Sequence, residues 1–235
     1  MKKLLFLLLV SNFIYAELVL EITQGTENPY SLAVINFDGP QKISKKINSI
    51  IKSDMKRTGE FIIRDSSQLI SVPRNEEEIK YKDFKLLGID FIVLGSLITE
   101  SKFNLSVSYD IYDVRKEKKI RTSKVFGIPN KIRQLSHYIS DGIYEEITGL
   151  QGVASTKLLY VTEERNPDKS LFQLVIADAD GANEQILLRS NEPIISPSWS
   201  PDSKKVAYVS FETGMAKVFI PVSYTHLRAH ETQLH

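Results

Sequence analysis

The densest group of metal-type ligands lies at the C-terminus. His226, His230 and His235, three of the chain's 4 histidines, fall in its last segment. His226 and His230 have the i, i+4 spacing that sets two imidazoles on one helix face for zinc. No carboxylate-bearing framework surrounds them, so the spacing alone does not make a site. Asp178-Ala179-Asp180-Gly181 places carboxylates at alternate positions, as a calcium loop does. An EF-hand loop needs its glycine at the sixth position and a distal glutamate, so a β-turn between two strands fits better. His137 stands alone near an apolar helical stripe and reads as a packed or hydrogen-bonded structural histidine. No Gly-x-Ser-x-Gly elbow marks a hydrolase, and no glycine-rich phosphate loop follows a strand. The chain has 0 cysteines, which excludes disulfides, thiolate metal sites, a cysteine nucleophile and a lipidated N-terminal cysteine. These residues predict no enzyme, no cofactor and no metal site.

The elements that could carry any function begin after a leader. "MKKLLFLLLVSNFIYA" has Lys2 and Lys3 as a positive n-region, an apolar core from Leu4 to Val10, and a small residue at Ala16. This predicts a secretory signal peptide over residues 1–16, cleaved between Ala16 and Glu17. Its apolar core is far shorter than the roughly 20 residues of a spanning helix, so no membrane span is expected after cleavage. The short, Lys-led signal fits a bacterium and a periplasmic destination. Lys+Arg is 30 against Asp+Glu 29, which gives no charge imbalance pointing to nucleic acid or a membrane surface.

Glu17, Leu18, Val19, Leu20, Glu21 and Ile22 ("ELVLEI") form a strand-like arm, broken by Gly25, Asn28 and Pro29. The arm segment covers residues 17–28. Residues 29–150 then read as an α/β domain with the order β-α-β-α-β-β-β-α, a mixed sheet with packed helices. "SLAVINF", "EFIIRD" and "FIVLGSLI" are strands. "FNLSVSYDIYDV" alternates Phe103, Leu105, Val107, Tyr109 and Ile111 on one face, a half-buried antiparallel strand. Ile43, Ile47, Ile50 and Ile51 mark one helix. Ile132, Leu135, Ile139, Ile143 and Ile147 mark another, closed by Gly149. Lys42, Lys45, Lys46 and Lys52 read as a solvated helix surface rather than an anionic-partner patch. Glu76, Glu77 and Glu78 are expected to open a helix, where they complement its dipole.

Past Gln151-Gly152 the helix signals stop. "KLLYVTEE", "LFQLVIADADG" and "NEQILLRS" are strands, followed by "SPSWSPDSKKVAYVSFETG". Lys157 to Thr162 resembles Lys205 to Ser210, and Gln173 to Ile176 resembles Lys217 to Ile220. A period in the forties with four strands per unit is the signature of a β-propeller blade. Residues 155–220 are therefore expected to form about one blade and the start of a second. In this reading Trp199 is the packing wedge at the seam between the blades. Pro197 and Pro201 fix turn geometry at strand edges. Asp202, with Ser203, supplies a side-chain-bonded turn into the next blade. All four roles are structural.

Together these stretches resemble the TolB family, periplasmic propeller proteins of the Tol-Pal cell-envelope system. "YAELVLEI", "LGIDFIVLGSL", "HYISDGIYEEITGLQGVASTKLLYV" and the blade motif carry the resemblance, which runs to about Ile220. It implies an α/β domain followed by a six-bladed propeller, and a binding function without chemistry. It implies that the propeller mouth binds the lipoprotein Pal and that the N-terminal arm, here Glu17 to Ile22, binds TolA. Availability of the arm would be coupled to Pal binding, in the service of outer-membrane integrity and envelope constriction at cell division. The arm is suited to β-augmentation. It is equally suited to adding a strand to its own domain, and an arm with docked and free states would be a switch. The family's Pal-contacting positions lie mostly in later blades, so none is carried over. Residues 221–235, "PVSYTHLRAHETQLH", depart from the family and read as a non-native tail on a truncated gene product. Two other readings are the propeller front half of a secreted serine peptidase and a ligand-sensing propeller. The α/β domain ahead of the first blade favours the adaptor.

Overall fold

A computed structural model describes residues 28–101, 104–167 and 169–220. The expected signal peptide and its Ala16–Glu17 junction, the arm Glu17–Ile22, Phe103 and the tail from Pro221 lie outside these residues.

The first domain consists of β1 (Tyr30–Val34), α1 (Gln41–Arg57), β2 (Phe61–Arg64), α2 (Tyr81–Leu86), β3 (Phe91–Ser101), β4 (Asn104–Asp113), β5 (Lys118–Gly127) and α3 (Ile132–Thr148). This is the expected order. The sheet runs β2-β1-β3-β4-β5. β1 pairs in parallel with β2 and β3, and β4 pairs antiparallel with β3 and β5. The parallel pairs need long crossovers, which α1 and α2 provide. The antiparallel half is closed by short hairpins.

Two apolar clusters follow from strand alternation. Leu105, Val107, Tyr109 and Ile111 of β4 face α1 and α3, where Ile47, Ile51, Ile139 and Ile143 complete the larger core. Ala33, Ile92 and Tyr112 face the other way and pack on Phe84 of α2 with Ile79 and Ile89. α3 ends at Gly149, whose left-handed backbone (φ 74°) donates its N–H to Glu145 at 2.8 Å. That is the αL termination a glycine permits at no steric cost. One element departs from expectation. Glu76–Glu78 make a single 3-10 turn capped by Asn75, and the α-helix starts only at Tyr81. Ile79 is the reason: its backbone is extended (ψ 108°) and its side chain is buried in the second cluster.

Two three-stranded antiparallel sheets follow. The first is β6 (Lys157–Arg165), β7 (Ser170–Asp178) and β8 (Gln185–Ser190), in that order. The second contains β9 (Ile194–Trp199), β10 (Val206–Ser210) and β11 (Lys217–Phe219), ordered β11-β10-β9. In the sequence repeat β6 corresponds to β10 and β7 to β11. The first sheet adds β8 after that pair, and the second adds β9 before it. Overlaid, they define a four-stranded unit, as a propeller requires. The sheets share one core: Leu174 and Ile176 of the first meet Ile194, Val206, Tyr208 and Phe219 of the second.

The blade motif needs a correction. Trp199 pairs with Val206 across the β9–β10 hairpin, so its turn closes a hairpin inside the second sheet. It does not lead from one blade into the next. The crossing between sheets is the short segment before Ile194. The seam reading survives only in position, because β9 is the strand of the second sheet that packs on β6 and β7.

Candidate functional site

The densest polar constellation among the described residues lies where the two domains meet. α3 positions it. Arg133, His137, Ser140 and Asp141 recur at i, i+4, i+7 and i+8, which puts them on one helical face. α1 contributes Asp54 and Arg57, and the first propeller sheet contributes Lys157, Asp178, Asp180 and Asn183.

Arg133 bridges the domains. Its Nε donates to Asp178 Oδ2 at 3.0 Å, and its other nitrogen pairs with Asp180. Lys157 also pairs with Asp178, and Asn183 Nδ2 donates to it at 2.6 Å. Burial pushes the Asp178 carboxyl up, but Lys157, Asn183 and Arg133 together hold it below the usual carboxylate range. Burial acts likewise on Asp180, outweighed by Arg133 and the Ala182 N–H, so this carboxyl is also held low. The turn itself is the β-turn expected from sequence: Gly181 N–H donates to Asp178 O at 2.8 Å.

Asp54 anchors the other side. Its Oδ2 accepts Ser140 Oγ–H and meets His137 Nδ1, both at 2.7 Å. Its Oδ1 accepts from Arg57 at 2.9 Å. His137 is buried and hydrogen-bonded, as the sequence suggested, but its Nε2 finds no partner among the described residues. Asp54, His137 and Asp180 bring possible ligand atoms within 4.8 Å of one another. Arg57 and Arg133 already serve both carboxylates, so the donor set does not match an open cation site.

The linker is fastened to the same face. Asp141 accepts the backbone N–H groups of Ala154 at 2.6 Å and Ser155 at 3.0 Å. Gly152 presses on Asp141 so closely that a Cβ there would lie 2.5 Å from its Cα. Beside the linker is an open cavity of about 400 Å³, whose walls include Met55, Thr58, Tyr144, Leu150 and Val153. The strand β1 begins close by. Tyr30 N–H donates to Glu60 O at 2.9 Å, and the Tyr144 hydroxyl donates to the Glu60 carboxylate at 2.9 Å. The arrangement joins two domains and leaves an apolar groove at their boundary.

The residues singled out from sequence stand elsewhere. Trp199 is half-buried against the core shared by the propeller sheets. Pro197 follows Ser196, whose φ of 52° marks an irregularity opposite Tyr208 on the edge strand β9. A proline there forfeits no ladder bond. Pro201 and Asp202 sit in the exposed hairpin turn, where Ser203 N–H donates to Ser200 O at 2.8 Å. Asp202 accepts from Ser200 Oγ at 2.6 Å and Lys204 N–H at 3.1 Å, which hold its carboxyl low. Asp54, Arg133 and Asp141 were missed. Arg133 and Asp141 leave only a polar stripe on α3, a pattern any solvated helix face shares, and Asp54 of α1 leaves no such trace.

An α/β domain fastened through a polar junction to propeller sheets defines a two-domain scaffold with a propeller as its second part. Two family profiles match along the chain, the TolB amino-terminal domain over residues 18–120 and the TolB beta propeller domain over residues 144–235. The chain belongs to the TolB family. It is 42% identical over 197 residues to the Tol-Pal system protein TolB of Alcanivorax borkumensis, covering 84% of this chain and 45% of that one. It is 36% identical over 226 residues to the protein of the same name from Hahella chejuensis, covering 94% and 53%. A crystal structure of TolB from Acinetobacter baumannii superposes with a TM-score of 0.77 at 30% identity, covering 91% of this chain and 52% of that one. The chain thus spans about half the length of the relatives it matches. Among the described residues no helix is long and apolar enough to cross a membrane.

Proposed function

We propose that the chain serves as a non-enzymatic periplasmic adaptor of the Tol-Pal system, contacting Pal through its propeller and TolA through the arm Glu17–Ile22. One observation carries this reading: both family profiles match, in family order, over the α/β domain and the propeller sheets. The names of the relatives supply the system. The arm's alternating apolar and acidic residues suit addition of a strand to a partner sheet, where backbone bonds give affinity and alternate side chains give specificity. The arm leads into Tyr30, which is tied to Glu60 and hence to Tyr144 of α3. Tyr144 also lines the cavity beside the linker, so β1, into which the arm runs, is tied to the helix that carries the domain junction. The family match to an α/β domain ahead of the blades favours an adaptor over the front half of a peptidase.

The test is deletion of residues 17–22 from the secreted protein. Capture of TolA is lost and capture of Pal by the complete six-bladed homologue is retained. TolA capture that survives the deletion contradicts the arm assignment.

A further inference from the structure

Helix α1 carries Lys42, Lys45, Lys46 and Lys56 exposed on one face, spread over about 21 Å of its length. None of the four makes an ion pair among the described residues, and Lys52 beside them pairs with Asp65 at 3.4 Å. The exposed residues of the helix include no carboxylate. Its one acidic residue, Asp54, is buried at 2% exposure and held by Arg57, His137 and Ser140. A solvated helix face, the reading that sequence alone supports, mixes the two signs and sets carboxylates three or four residues from cations. This face does the opposite. Lys42 and Lys46 repel each other at i, i+4. Lys42 also sits in the first turn, where the positive end of the helix disfavours a cation and no acidic residue compensates it. Neither placement helps the helix fold, and a surface of negative charge relieves both.

α3 packs beside α1 on the same face of the sheet. The outward residues over its first half are Lys131, Gln134 and Tyr138, the last 52% exposed. Its carboxylates are engaged elsewhere or stand at its far end: Asp141 clamps the linker, Glu146 pairs with Arg121, and Glu145 belongs to the last turn.

We infer that this two-helix face is a docking surface for an anionic lipid bilayer, with the α1 lysines at the headgroup phosphates and Tyr138 at the interface. Charge complementarity gives the sign of the partner, and the chemistry of lysine gives its kind. An ammonium is a point charge on a flexible stem and fixes no single geometry. Lysine is depleted at protein–protein interfaces, which rest on a desolvated apolar core. The apolar side of α1 is already buried against the sheet, so its outer face offers no such core. Mobile headgroups adjust to the lysines instead, and an exposed tyrosine suits the boundary between water and acyl chains. Each lysine within reach of the headgroups contributes roughly a five-fold factor to partitioning. The surface uses neither the arm nor the propeller, so it stands or falls apart from the proposed function.

Vesicle co-sedimentation of the secreted chain, freed of residues 1–16, tests it. The chain is expected to partition onto phosphatidylcholine vesicles that contain phosphatidylglycerol at about 0.1 M salt. It should leave them at about 1 M, where the screening length falls from about 10 to about 3 Å. Vesicles of phosphatidylcholine alone should not bind it. K42Q/K45Q/K46Q is expected to weaken partitioning about a hundred-fold. K118Q/K204Q/K205Q removes the same charge from exposed positions elsewhere and should stay within about five-fold of the wild type. The α1 triple variant should melt no lower than the wild type, because it removes like-charge repulsion. Partitioning of that variant equal to the wild type overturns the proposal, and so does equal binding to the neutral vesicles. So does capture by an acidic polysaccharide such as heparin with no partitioning onto either vesicle. Should the triple variant fail to fold, the salt and headgroup comparisons on the wild type still decide.

Discussion

Arg133 and Asp178 lie 45 residues apart in the chain and 3.0 Å apart in space. The first sits on the last helix of the α/β domain, the second at the end of the second propeller strand. Asp178 is nearly enclosed, with its side chain at 8% exposure, and Arg133 is at 26%. Removing the guanidinium leaves a buried carboxylate short of a donor. R133M keeps the apolar stem and removes the charge. It is expected to destabilise the protein by about 2 to 3 kcal/mol in urea unfolding. R133K restores only part, because an ammonium cannot serve two carboxylates in the planar fork geometry. A loss below about 0.5 kcal/mol for R133M contradicts the role of this contact.

Acid should open the same junction from the other direction. Asp178 and Asp180 are held below the usual carboxylate range. Their contribution is therefore present above the unfolded carboxyl value near 3.9 and is lost as pH falls through their lower folded values. Trp199, the chain's 1 tryptophan, packs on the propeller core and reports the loss by fluorescence. The transition is expected below about pH 4 in the wild type and at higher pH in R133M. Identical acid transitions in the two proteins count against the assignment.

Gly152 is needed for contact and not for backbone freedom. A Cβ there would lie 2.5 Å from the Asp141 Cα and as close to its carboxylate. G152A is expected to push the linker off α3 at a cost of about 1 to 3 kcal/mol, weakening the bonds from Ala154 and Ser155. Limited proteolysis between residues 150 and 156 measures it, with faster cleavage than in the wild type. Unchanged cleavage means the linker is not clamped by Asp141.

Trp199 and its turn separate packing from turn chemistry. W199A removes a half-buried ring from the core shared by β6, β7 and β10, and is expected to cost about 2 kcal/mol or more. D202A removes an exposed acceptor and should stay within about 1 kcal/mol. Thermal unfolding of both variants, with the order reversed, would contradict the assigned roles.

The elements were legible where one physical signal dominated. The stripe from Ile132 to Ile147 and the alternation from Leu105 to Ile111 announced α3 and β4, because each residue's own face is decided by burial. α2 was less legible: one buried residue, Ile79, breaks it, and local propensity cannot foresee that. Trp199 and its turn are visible as a motif, but the motif does not say which strands pair, and only the β9–β10 ladder shows that it closes a hairpin rather than a passage between blades. The junction left almost no mark. Asp54 and His137 are 83 positions apart. Two residues that meet only through tertiary packing share no spacing rule. His137 was readable as a structural histidine, and the Asp178–Gly181 turn as a turn, but not that the two face each other.

The central claim is that the arm Glu17–Ile22 captures TolA while the folded domains serve another contact. Isothermal titration of the secreted chain with the TolA partner domain, with and without residues 17–22, tests it most directly. The account predicts saturable binding to the chain that carries the arm and none to the chain that lacks it, with the two melting alike. Equal binding by both would contradict it.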